Sequence, residues 1–193
     1  NMNVGPDASQ CKDQWMVGNI DFSEGSNALT ISCDGGQRAT FGSVRDMMVA
    51  YRKIKVDSAA TINLSFDWKC EGIMDVSQLN FYFLPAGAIR DVSELNSLNN
   101  SADLPRILSR PMGSFCGSSD WVNSIAVEQL SLNSTDEYYM IFVWQNANTD
   151  TTTEVLSTYS VSVDNIQITS ASCPEPENLQ YRSGCDTLFI SWE

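Results

Sequence analysis

The chain has 193 residues and a net charge of −13 at pH 7, with 24 acidic and 11 basic side chains. Its length suits one domain with a fragment of a second, and its hydrophobic fraction of 42% indicates a packed core. The negative charge repels phosphate, which argues against nucleic acids and anionic membrane surfaces as partners. The absence of histidine excludes Ser-His-Asp and Cys-His catalysis and histidine-ligated metals. No apolar run approaches the length of about 18 residues that marks a transmembrane helix.

Alternating apolar and polar side chains predict strands along most of the chain. In chain order, the candidate strands are residues 29–32, 49–56, 62–68, 79–83, 125–127, 138–144 and 159–163. Ile125 and Val127 are two residues apart, so we expect them to share one face of their strand. Residues 138–144 are apolar on both faces, which predicts a central strand covered on both sides. Many short strands joined by polar loops predict an all-β, antiparallel sandwich.

The last of these strands contains a break in its alternation. Val161 and Val163 lie on one face, whereas Ile166 and Ile168 fall on the opposite parity. A slip of one residue at Asp164–Asn165 would bring both pairs onto the same face, and a β-bulge produces such a slip. The sequence therefore predicts a bulge that gives the Asp164 carboxylate an unusual setting.

The cysteine count favours an oxidising compartment, because it is even and the chain is acidic and rich in Ser, Thr and Asn. The six residues are Cys11, Cys33, Cys70, Cys116, Cys173 and Cys185. None forms the C-x-x-C pair of a zinc or redox motif. Cys173 and Cys185 are the predicted disulfide, since both lie in one short C-terminal segment. The alternative is that several cysteines are buried free thiols, which pack as small apolar side chains.

A domain boundary is predicted near residues 170–176, where two prolines favour an extended backbone. The chain thus divides into an N-terminal segment 1–17, a sandwich module 18–170 and a C-terminal segment 171–193 with a short β-hairpin. The pattern Cys-Pro-x-Pro-x-Asn-Leu at 173–179, followed by Leu-x-Ile-Ser-Trp at 188–192, resembles the opening strands of a fibronectin type III domain of Bacteroidetes surface proteins. This resemblance implies a truncated second domain and a longer multidomain parent chain.

The larger part, about residues 18–169, resembles the cleaved-adhesin or MAM-like jelly-roll modules, which have a galactose-binding-like sandwich. The segments that carry this resemblance are residues 20–25, 50–54, 64–75, 138–146 and 163–168. In many sandwiches of this type a calcium ion ties the first strand to the last. The resemblance therefore implies a calcium site formed by Asp21 or Glu24 with Asp164, and calcium accepts such oxygen ligands. The alternative is that Asp164 caps a turn through its own backbone and Asp21 is solvated.

Glycan binding would require exposed aromatic side chains beside polar groups, and Trp15 and Trp121 are the candidates. The alternative is that these rings pack in the interior, which is the commoner role of tryptophan in a sandwich. Asp67, Glu71 and Asp75 form the densest acidic set near strand ends, yet no E-x-D-x-x-E pattern of a jelly-roll glycosidase is present. We therefore predict that the chain is not an enzyme.

The resemblance implies a secreted module at the bacterial cell surface that binds a glycan or a host or surface protein without catalysis. The alternative is an accessory or spacer module of a larger secreted peptidase or glycoside hydrolase.

Overall fold

The computed structural model describes residues 12–42, 46–58, 60–89, 108, 110–133, 136–147, 159–170, 180–183 and 188–191. The strands are β1 (Gln14–Gly18), β2 (Ala28–Ser32), β3 (Asp46–Lys55), β4 (Ala60–Cys70), β5 (Ser77–Pro85), β6 (Gly113–Phe115), β7 (Ser118–Leu132), β8 (Glu137–Asn146), β9 (Val161–Ser170), β10 (Gln180–Ser183) and β11 (Leu188–Ser191). A 3-10 turn at Ala86–Ala88 follows β5. Among the residues in these ranges, no helix is long and apolar enough to cross a membrane.

Two antiparallel sheets form a sandwich, which confirms the predicted fold class. One sheet has five strands in the order β1-β2-β9-β4-β7, and the other has four in the order β3-β8-β5-β6. When the edge strand β1 is set aside, the sheets β2-β9-β4-β7 and β3-β8-β5-β6 have the strand order of an eight-stranded jelly roll. β1 pairs with β2 along its whole length, so the sheet begins within the segment 1–17 that the sequence sets apart from the sandwich.

The C-terminal strands β10 and β11 pair with each other as an antiparallel hairpin. This confirms the short hairpin that the sequence predicts after the boundary near residues 170–176.

Aromatic rings fill the space between the two sheets. Every second residue of β4 from Ile62 to Cys70 is buried, as the alternation predicts. The ring of Phe66 on β4 lies 5.1 Å from that of Phe142, 5.2 Å from Phe81 and 5.3 Å from Phe115, measured between centroids. Each such pair adds about 0.5–1.5 kcal/mol beyond the area that it buries.

Strand β8 is covered on both faces, as predicted. Phe142 and Trp144 belong to the core between the sheets. Ile141 and Val143 point the other way, into a second apolar cluster that includes Leu108. The four-stranded sheet is therefore shielded on its outer side, whereas the five-stranded sheet carries its polar residues outward.

The bulge in β9 lies where the broken alternation predicts it. Ser65 and Asp67 are two positions apart on β4, but their partners Gln167 and Asp164 are three positions apart on β9. Asn165 lies at the bulge and has a positive φ of 47°. Because of the slip, Ile168 pairs with Leu64 and projects on the same side of the sheet, although its side chain is 41% exposed whereas Leu64 is buried.

The cysteines of the described ranges differ in state. Cys33 is disulfide-bonded. Cys70 and Cys116 are free thiols; Cys70 is buried, which agrees with the alternative of a buried free thiol, whereas Cys116 is half-buried. The predicted pair Cys173 and Cys185 lies outside the residues that the structure describes.

Candidate functional site

The polar side of the five-stranded sheet is the candidate site, and we call it the outer face. It is defined by alternate residues of β4 and by their partners on β7 and β9, because directly paired residues project on the same side of a sheet. Its members are Asn63, Ser65, Asp67, Lys69, Asn123, Ile125, Ser162, Asp164, Gln167 and Thr169.

The loop that joins β1 to β2, residues 19–27, is attached to one end of this face. The Asp164 Oδ2 atom accepts hydrogen bonds from the backbone N–H groups of Ser23, at 2.9 Å, and Glu24, at 3.0 Å. The Ser23 hydroxyl donates to Oδ2 of Asp67 at 2.5 Å. The β1–β2 loop is thus held to both β9 and β4, although about 140 residues of chain separate it from β9.

Asp67 is the centre of the hydrogen-bond network on the face. In addition to Ser23, its carboxylate accepts hydrogen bonds from Nδ2 of Asn123, at 2.6 Å, and Nδ2 of Asn165, at 3.3 Å. Partial burial acts to raise the pKa of Asp67, but these hydrogen bonds outweigh it and leave the pKa below its usual value. Asp67 is therefore ionised at neutral pH.

A second carboxylate, Asp21, accepts hydrogen bonds from side chains of β4 and β7. Lys69 Nζ lies 2.7 Å from its Oδ2 atom, and the indole N–H of Trp121 donates to Oδ1 at 3.2 Å. The same ammonium group lies 4.4 Å from the ring centroid of Tyr159. Partial burial acts to raise the pKa of Asp21, but hydrogen bonds from Lys69, Trp121 and Tyr159 outweigh it and lower the pKa.

The structure brings the three residues of the predicted calcium site to the β1–β2 loop, but not into one shared cluster. Glu24 meets Asp164 through its backbone N–H group, and Asp21 is paired separately with Lys69. Asp164 also accepts a hydrogen bond from the backbone N–H of Asn165 at 2.7 Å, which is the turn-capping arrangement that the sequence leaves open. Within the described ranges, no three Cys, Asp or Glu side chains are grouped so that they could hold a metal ion.

The two tryptophans that the sequence proposes for ligand contact are both half-buried. Trp15 packs against the core, and its indole N–H donates to the backbone oxygen of Met48 at 3.0 Å, which links β1 to β3. Trp121 lies at the margin of the outer face, where its N–H group is engaged by Asp21. Both indole N–H groups thus have partners within the protein.

Ile125 is the most exposed apolar side chain on the outer face. Ile125 is 65% exposed, whereas Val127 is buried, so their expected common face is wrong. The reason is a register shift: Val127 pairs with Leu64 and Ile125 with the next residue, Ser65, so the two side chains point to opposite sides. No signal in β7 alone reveals this shift.

Sequence reasoning also overlooked Phe22, an exposed aromatic side chain in the β1–β2 loop. Its neighbours Asp21 and Ser23 are anchored to Lys69 and Asp67, so its backbone is fixed beside the outer face. The sequence does contain a signal for this residue, because Phe22 is an aromatic residue between the polar residues Asp21 and Ser23.

No protein-family model matches the chain, and no curated protein matches it. Among solved structures, it is similar to the crystal structure of a Podospora anserina GH26-CBM35 β-(1,4)-mannanase, with a TM-score of 0.40 and 12% sequence identity. The match covers 89% of this chain and 28% of that protein, so the chain spans less than a third of its length.

Proposed function

We propose that this chain is a non-catalytic binding module that acts outside the cell and recognises a glycan, or a protein at the cell surface, through its outer face. The observation that carries the proposal is the exposed row across the sheet formed by Ile125 and Gln167 on either side of Ser65, with the exposed Asn123 two positions away on β7. The β1–β2 loop that is attached to this face carries the exposed Phe22. The resemblance to cleaved-adhesin and MAM-like modules supports the same class of function.

The chemistry of this row suits a sugar. The amide nitrogens of Asn123 and Gln167 donate to Asp67 and Asn165, but each amide has a second N–H group and a carbonyl oxygen that can serve a sugar hydroxyl. Ile125 and Phe22 supply apolar surface for the C–H groups of a pyranose ring, and binding sites generally combine such surface with a few polar groups. The acidic groups Asp67 and Asp164 beside the row disfavour anionic glycans.

The state of the carboxylates supports a role without catalysis. A glycosidase needs a general acid whose pKa is raised, paired with a second free carboxylate. Asp67 has a lowered pKa, and both of its oxygens accept hydrogen bonds from neighbouring side chains. Asp164 likewise accepts hydrogen bonds from three backbone N–H groups on its two oxygens.

A glycan array probed with the whole chain, followed by calorimetry on the best oligosaccharide, tests this proposal. Ile125→Asp should weaken binding about tenfold or more, because it places a charge within the apolar contact. Ile73→Asp is the matched control, since Ile73 is equally exposed but lies in the β4–β5 connection. Equal loss in both variants, or release of sugar by the chain itself, would contradict the proposal.

The alternative function is an accessory or spacer module within a larger secreted peptidase or glycoside hydrolase. The separate C-terminal hairpin β10–β11 favours it, because its sequence resembles the start of a fibronectin type III domain. On the array, a spacer binds none of the glycans, whereas an accessory module of a glycoside hydrolase binds the substrate of its enzyme. The sequence of the parent gene then shows whether catalytic motifs accompany the module.

A further inference from the structure

We infer that the ammonium group of Lys69 is the cation that fixes the β1–β2 loop on the outer face, in the place where the resemblance implies calcium. Lys69 is thus a positioning residue for this face. The inference goes beyond the proposed function, because it concerns how the face is held together whether or not a glycan binds.

The geometry around Lys69 is that of a partly desolvated ion pair. Its Nζ atom lies 2.7 Å from Asp21 Oδ2, and the two side chains are only 19% and 28% exposed. The ring of Tyr159 lies 4.4 Å from the ammonium, which adds a cation–π contact on a second side. A charged hydrogen bond with limited access to water is stronger than an exposed ion pair.

Asp21 connects this ammonium to the rest of the loop. Its second oxygen accepts the indole N–H of Trp121, so both oxygens of the carboxylate have donors. Two residues further along, Ser23 reaches Asp67 through its hydroxyl and Asp164 through its backbone N–H. The β1–β2 loop is therefore held at residue 21 by Lys69 and at residue 23 by Asp67 and Asp164, and all three partners belong to the protein.

These N–H and ammonium donors do not suit a calcium ion, which binds oxygen atoms. Calcium takes about six to eight oxygen ligands, whereas Asp21 faces an ammonium and an indole N–H and Asp164 faces backbone N–H groups. A divalent ion bound to Asp21 would also lie within a few ångströms of the Lys69 charge, where repulsion between like charges is strong. The Lys69 ammonium thus balances the charge of Asp21, and N–H groups occupy the oxygens of Asp164.

The contacts of Lys69 also fix the position of Phe22 at the edge of the outer face. Phe22 sits between Asp21 and Ser23, so loss of the Lys69 anchor would release one side of the segment that carries the exposed ring. The anchors on Asp67 and Asp164 would remain. We therefore expect local loosening of the loop rather than global unfolding.

Amide hydrogen exchange of the whole chain, read at residues 22–24, tests the inference without any glycan. In the wild type, neither excess calcium nor EGTA should change the exchange rates of the loop. Lys69→Met should accelerate exchange there about tenfold, since it removes a charge-assisted hydrogen bond. Lys69→Arg keeps the cation and should retain most of the protection.

Lys55→Met is the matched control, because Lys55 forms an exposed pair with Asp57 elsewhere on the molecule. It should leave exchange in the loop unchanged. If Lys69→Met does not fold, Asp21→Asn removes the same charge pair while keeping an acceptor for Trp121, and the same acceleration is expected. Slower exchange of the wild-type loop on addition of calcium, or wild-type protection in the folded Lys69→Met variant, would overturn the inference.

Discussion

Asp67 on β4 and Asp164 on β9 are direct cross-strand partners, so two ionisable carboxylates project side by side from the outer face. Like charges in this position destabilise a sheet by up to about 1 kcal/mol. Here the β1–β2 loop offsets the repulsion, since Ser23 donates to both carboxylates and Glu24 adds a backbone N–H group. The loop and the acidic pair therefore stabilise each other.

Removing the Ser23 hydroxyl should weaken this mutual stabilisation. We expect Ser23→Ala to lower the free energy of unfolding by about 1 kcal/mol, because the hydroxyl bonds to a charged but half-exposed group. Urea denaturation measures the effect. Ser26→Ala is the control, since the Ser26 hydroxyl accepts a hydrogen bond from its exposed neighbour Asn27, and its removal should change stability little. Equal effects of the two substitutions would contradict the role assigned to Ser23.

Asp13 should make the stability of the protein depend on pH. This carboxyl is 1% exposed, and its burial raises the pKa to about 7, with a smaller upward contribution from the nearby charge of Asp46. The backbone N–H of Gly42 and the indole N–H of Trp144 donate to it and act to lower the pKa, but they do not outweigh its burial. In the unfolded chain the group loses its proton near its ordinary pKa of 3.8. Between these two values the folded state binds more protons, so stability falls as the pH rises.

The size of this effect is at most about 4 kcal/mol, from about 1.4 kcal/mol for each pKa unit. Urea midpoints measured from about pH 4 to about pH 8 test it. Asp13→Asn should reduce the loss of stability with rising pH. Asp57→Asn, at a strongly exposed carboxyl, should lose stability with pH as the wild type does. If the urea midpoint falls equally with pH in all three proteins, Asp13 is not the cause of the pH dependence.

Gly72 permits a close contact between the end of β4 and the start of β5. A Cβ atom at this position would lie 1.8 Å from the backbone oxygen of Ser77. Since that neighbour is backbone, Gly72→Ala should cost about 3 kcal/mol or prevent folding. Gly87→Ala, where a Cβ meets nothing within 4 Å, should stay within about 1 kcal/mol of the wild type by thermal melting. Comparable melting temperatures for both variants would refute the contact.

The two free thiols should differ in reactivity. Burial raises the pKa of Cys70 to about 12, and this residue belongs to the core, whereas Cys116 is half-buried at the turn before β7. Since the thiolate is the reactive form, iodoacetamide should label Cys116 first and Cys70 only on unfolding. Mass spectrometry of the native and the urea-treated chain measures both sites. Faster labelling of Cys70 in the native chain would show that the β4 end is open.

Local pattern was sufficient where a residue's setting depends on its own strand. The alternation in β4 determined which side chains enter the core, and the doubly apolar run in β8 determined its central position. The parity change between Val163 and Ile166 even located the β9 bulge. These features follow from the two-residue period of a strand, which is a property of the sequence alone.

Only the tertiary structure decided what surrounds the carboxylates and which face Ile125 occupies. Asp21 meets Lys69 and Trp121, which lie 48 and 100 residues away, and no local pattern specifies such partners. Ile125 points outward because β7 shifts its register against Leu64 and Ser65 on β4. Register is a property of a pair of strands, and loop docking is a property of the folded surface, so both arise only when distant segments pack together.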